Sequence, residues 1–68
     1  MHALKIKLTN REREVLCLVA SGHTDHHIAE TLTIIPRTVN RHMGNIFLKL
    51  DVSSRAAAAV HGVRRGLI

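Results

Sequence analysis

Residues 24–50 read TDHHIAETLTIIPRTVNRHMGNIFLKL, and the way this stretch divides decides the fold. Thr24 ahead of Asp25 is a helix start: the hydroxyl can accept a backbone N–H, and the carboxylate suits the positive end of the helix dipole. Ile28, Ala29 and Leu32 fall on one face, which predicts a short helix over residues 25–32. Thr33 to Ile35 form a tight turn, with Ile34 pointing inward. Pro36 is the only proline and sits where a first helical turn tolerates it. Val39, Met43, Ile46, Phe47 and Leu50 then recur at amphipathic spacing, which predicts a helix over residues 37–50.

Reading outward from this pair adds a helix on each side. Thr9 and Glu12 have the spacing of a capping box, and Leu8 before them is a candidate hydrophobic staple. The helix they start runs over residues 10–21, with Val15, Leu16 and Val19 inward, Leu18 alongside, and Gly22 as its left-handed terminator. Downstream, Asp51 and Val52 connect to a fourth helix capped by Ser53 or Ser54. Val52, Ala56, Ala59, Val60, Val63 and Leu67 repeat the inward spacing there, and Gly66 ends it. The alanine run from Ala56 to Ala59 favours helix and close approach of a neighbour. No strand, repeat or linker signal appears. The expectation is an all-α, four-helix helix-turn-helix domain over residues 8–68, with residues 1–7 as a tail or linker.

Composition narrows the function. A chain of 68 residues is one small domain, too short for a cleft between lobes. Lys5, Lys7, Arg11 and Arg13 balance Glu12, Glu14, Asp25 and Glu30, whereas Arg37, Arg41, Lys49, Arg55, Arg64 and Arg65 face only Asp51. The whole +5 excess therefore lies in the C-terminal half, which points to a polyanion partner, nucleic acid before membrane. The lone Cys17 lies in an apolar run, where a packed thiol is expected. It fits a reducing cytoplasm. No apolar run approaches the ~20 residues of a membrane span. No nucleophile–base constellation or phosphate loop is spaced for catalysis, so no enzyme, cofactor or metal is expected. The acids read instead as cap and ion-pair partners, with Glu12 or Glu14 paired to Arg55. His23, His26 and His27 have zinc-ligand chemistry, but the set lacks an obvious fourth ligand and reads better as solvated residues at a helix start.

The third helix carries the chemistry. Arg37, Asn40, Arg41, Gly44, Asn45 and Leu48 all lie away from its apolar stripe. Asn bonds adenine and Arg bonds guanine in a bidentate way in the major groove. Gly44 has no side chain to hold a duplex off, although glycine inside a helix costs about 1 kcal/mol.

These residues also resemble a known family. LTNREREVL at 8–16, Gly22 with Thr24, IAETL at 28–32, RTVNRH at 37–42, KLDV at 49–52, Arg55 and the final GLI are similar, in order, to the LuxR-type (GerE-like) helix-turn-helix domain. The resemblance implies that the third helix is the recognition helix, entering the major groove of double-stranded DNA. It implies that Asn40, Arg41 and Gly44 approach bases, while Thr24, Arg37, Thr38, His42 and Lys49 meet the backbone. The fourth helix would pair two copies, with Ala57, Ala58 and His61 as the candidate dimer contact. An upstream sensor or regulatory domain in a longer chain is a further implied partner. Three positions depart from the pattern: Asn40 replaces a common Lys, Ile35 replaces a capping Ser, and Gly44 offers no side chain. An alternative stays open on those grounds, a helix-turn-helix-like protein-interaction domain with weak or lost DNA binding.

Overall fold

A computed structural model describes residues 7–68; apart from Lys7, the expected tail at residues 1–7 lies outside the described residues. Four helices follow one another: α1 (Asn10–Ala20), α2 (Asp25–Leu32), α3 (Pro36–Leu50) and α4 (Arg55–Arg64). No strand occurs among the described residues. The all-α expectation therefore holds, with helix limits within a residue or two of those read from the sequence.

Local chemistry explains each boundary. The Thr9 hydroxyl accepts the Glu12 N–H at 3.1 Å, and the Thr9 N–H donates to Glu12 Oε1 at 2.9 Å, completing the capping box. At the far end of α1, the N–H groups of Gly22 and His23 donate to Val19 and Leu18 carbonyls at 3.0 Å. That paired closure needs a left-handed residue, and Gly22 supplies it at φ +91°. Thr24 caps α2 by accepting the His27 N–H at 3.2 Å. Ser54, rather than Ser53, caps α4 by accepting the Ala57 N–H at 3.1 Å. The turn after α2 closes through Thr33 at φ 57°, and the one after α3 through Asp51 at φ 56°. Nothing in the residue type announces Thr33, because a β-branched side chain opposes that conformation.

The core is the meeting of the helical stripes. Val15 and Leu16 of α1, Ile28 of α2, and Val39, Ile46 and Leu50 of α3 are all but sealed from solvent. Leu8 is buried with them. The N4 position of α1 is Arg13, so Leu8 packs into the core rather than onto a staple partner. Ile34 is half-buried against the core, as its inward placement in the turn requires.

Three expectations are corrected. Cys17 is exposed, because it falls on the opposite side of α1 from the Val15–Leu16–Val19 stripe. Arg55 pairs with neither Glu12 nor Glu14. It donates from Nη1 to the Asp25 carboxylate and from Nη2 to the His23 carbonyl at 2.8 Å; Glu12 pairs with Lys49 and Glu14 with Arg11. The fourth helix is rotated from its expected stripe. Ala58 and Gly62 face inward and Ala56, Val60 and Val63 are exposed, while Val52, Ala59 and Leu67 of the expected stripe are half-buried, Val52 and Leu67 against the core. The reason is close packing: a Cβ at Gly62 would stand 2.8 Å from Leu16 Cδ2 and 3.3 Å from Ile68 Cδ1. Only the smallest residues fit that contact, so the larger valines turn out.

Candidate nucleic-acid interface

The inner face of α3 is fixed by packing, which decides what its outer face presents. Val39, Met43, Ile46 and Leu50 are buried, so Arg37, Asn40, Arg41, Gly44, Asn45 and Leu48 project to solvent. A Cβ placed on Gly44 would meet nothing within 4 Å, so the glycine is a gap in the surface rather than a packing contact. Leu48 is 82% exposed, an apolar side chain on an otherwise polar and basic face. Thr38 and His42 are half-buried at the edges of this face. Ile35 heads the helix as N-cap without any side-chain hydrogen bond, and Pro36 follows at its first turn. The helix that carries the outward polar residues thus begins bare.

Two polar ties hold α3 and its neighbours in place. Lys49 Nζ donates to Glu12 Oε1 at 2.6 Å, linking the last turn of α3 to the first turn of α1. Glu12 is 4% exposed. Burial pushes its carboxyl up, but hydrogen bonds from Lys49 and Thr9, with the Lys49 charge, hold it below its ordinary value of 4.5. The second tie is Arg55, whose fork joins the start of α4 to Asp25 and the His23 carbonyl at the start of α2.

The structure brings together most of the residues singled out by sequence. Arg37, Asn40, Arg41 and Gly44 share the exposed face of α3, and Thr24 is exposed at the head of α2. Lys49 is partly engaged, since one of its donors is committed to Glu12. The α4 residues divide. Ala57 and His61 are half-buried, whereas Ala58 has no exposed surface and cannot meet another molecule without unpacking the core. The exposed apolar part of α4 is carried by Val60 and Val63, which with Ala20, Ala59 and Arg64 line a shallow groove beside α1. No hydropathy pattern within the alanine run distinguishes these faces. Of the histidines at the start of α2, His26 and His27 are exposed, whereas His23 is half-buried with its Nδ1 3.2 Å from the Leu18 carbonyl oxygen. His26 Nε2 lies 3.7 Å from Glu30 Oε2, and the His23 and His27 rings stand edge to face at 6.1 Å.

Comparison with known proteins places this arrangement. The model for bacterial regulatory proteins of the luxR family, GerE, matches residues 7–61. The transcriptional regulatory protein LiaR of Bacillus subtilis (strain 168) is 51% identical over 61 residues, covering 90% of this chain and 29% of that protein. Among solved structures, the response regulator ChrA of a heme-sensing two-component system superposes with a TM-score of 0.90 at 32% identity, over 97% of this chain and 33% of that one. The transcription factor GerE superposes with a TM-score of 0.82 at 37% identity, over 87% of this chain and 88% of that one. The chain thus spans about a third or less of LiaR and of ChrA but most of GerE.

Proposed function

Because this chain belongs to the luxR family of bacterial regulatory proteins, we propose that it binds double-stranded DNA in a sequence-specific way to regulate transcription. The observation that carries the reading is the outer face of α3, where Arg37, Asn40 and Arg41 stand exposed beside the open gap at Gly44. In this reading α3 lies in the major groove. Asn40 bonds an adenine edge and Arg41 a guanine edge, and Gly44 lets the helix backbone come close. Arg37, Thr24, Thr38 and His42 hold phosphates. Lys49 has three donors, so one N–H on Glu12 leaves others for a phosphate.

Two copies pair through α4, as a duplex with two half-sites requires. Val60 and Val63 supply the apolar contact, with Ala57 and His61 at its margin; buried Ala58 takes no part. Relatives several times longer than this chain include response regulators, so an upstream sensing domain in a longer chain is the proposed source of control. The site of action in that case is the cytoplasm. The family is one of transcription regulators, and no enzymatic step is assigned.

A random-pool selection followed by gel shifts across a salt series tests the reading. An enriched inverted repeat is expected, with log affinity falling linearly against log salt by roughly 0.9 per phosphate contact. Arg41→Ala should relax preference at one base position at a cost of about 1–3 kcal/mol. Failure to enrich any sequence at low salt would transfer support to the alternative, a protein-interaction domain that has lost DNA binding.

A further inference from the structure

Leu48 is the most exposed large apolar side chain of the described residues, and it stands where charge and hydrogen bonding otherwise rule. It follows Arg41 by seven residues and Gly44 by four, so all three lie along one line of the helix surface. Gly44 adds nothing to that line, because a Cβ there would meet only open space. With no bulk in the middle, the helix can lie closer to a surface, and the short Leu48 side chain can come as near to it as the longer Arg41 does. Lys49 next to it is drawn away toward Glu12 and leaves the leucine uncovered.

On the reading that this face enters the major groove, Leu48 points at base edges. Those edges offer one principal apolar group, the C5-methyl of thymine. We infer that Leu48 reads the methyl group of a thymine in the DNA target, using the space that Gly44 leaves open. The helix rises about 1.5 Å per residue, so Leu48 sits about 10 Å beyond Arg41. With the helix lying along the groove, that separation corresponds at about 3.4 Å per base pair to roughly three base pairs between the thymine and the base that Arg41 meets.

The test uses the sequence enriched by the wild-type protein and replaces each thymine in turn with deoxyuridine, which lacks only the methyl group. One thymine, roughly three base pairs from the position relaxed by Arg41→Ala, should lose about fourfold in affinity, the effect of one buried methyl. Leu48→Ala should erase that sensitivity and leave every other position unchanged. Leu48→Met should keep part of it. Leu48 is exposed and alanine suits a helix, so the variant should keep the wild-type melting midpoint. Equal uridine sensitivity in wild type and Leu48→Ala, or none at any position, overturns the inference and leaves DNA binding intact. If no sequence is enriched in the first place, the proposed function falls with it.

Discussion

Helices α1 and α3 pack against each other, yet they begin in opposite ways. The first turn of α1 is closed by side chains: Thr9 and Glu12 exchange hydrogen bonds, and the same Glu12 oxygen takes Lys49 from the last turn of α3. The first turn of α3 has no side-chain cap, because Ile35 has no polar atom to offer its N–H groups. The polar side chains that brace the domain are therefore placed unevenly along α3. They fix the rear of α3 from below, through a nearly buried carboxylate. The front of the same helix, with Arg37, Asn40 and Arg41, is left exposed and open to a partner.

The largest way to break this contrast is to remove the tie at the rear. Glu12→Ala deletes the capping-box return bond and leaves Lys49 without its partner. A loss of about 2–3 kcal/mol in urea unfolding is expected from the lost cap and the charged hydrogen bond together. The same carboxylate sets a pH dependence. Its value in the folded chain lies below 4.5, so its contribution is complete above that pH and fades as pH falls through the folded value. Wild-type unfolding curves should therefore weaken with acid below about pH 4.5. Glu12→Gln should be less stable at neutral pH and should approach wild type in acid. Parallel pH profiles for the two proteins would show that the Lys49 contact contributes little.

The front of α3 sharpens the contrast in the opposite direction. Ile35→Ser places a hydroxyl where the Thr38 N–H, now 3.0 Å from the Ile35 carbonyl, can use it. The variant should gain about 1 kcal/mol in urea unfolding. It also removes an exposed isoleucine from the face beside Arg37. An unchanged midpoint would mean that the short backbone bond already satisfies this end.

How far the sequence discloses all this differs from helix to helix, for physical reasons. Thr9, Thr24, Gly22 and Pro36 mark helix ends because their chemistry acts within a few residues, and each end falls where they stand. The face of α3 is equally legible, since Val39, Met43, Ile46 and Leu50 contrast sharply with Asn40, Arg41 and Asn45. In α4 that contrast vanishes. Ala56 to Ala59 are interchangeable in hydropathy, so orientation is set by a distance the sequence does not hold, the close approach of Gly62 to Leu16. The ion pairs fail for a similar reason. Opposite charges on neighbouring helices say that pairing is available, but only the packing angle decides that Glu12 meets Lys49 and Arg55 meets Asp25.

The smallest expected effect lies two residues from the largest. Glu14 sits on the same helix as Glu12 and also pairs with a cation, Arg11 Nη1 at 3.0 Å. Both partners are about half exposed, at 42% and 55% of their side-chain surface. Water screens the attraction, and each long side chain gives up freedom to hold the pair. Glu14→Gln should therefore cost only about 0.2–0.5 kcal/mol, and the difference should vanish in molar salt. Glu12→Gln should keep most of its cost in the same salt, because a carboxylate that is 4% exposed is screened much less than a surface one. If both variants responded alike to salt, burial would not be what separates them, and the rear tie of α3 would be no firmer than any surface pair.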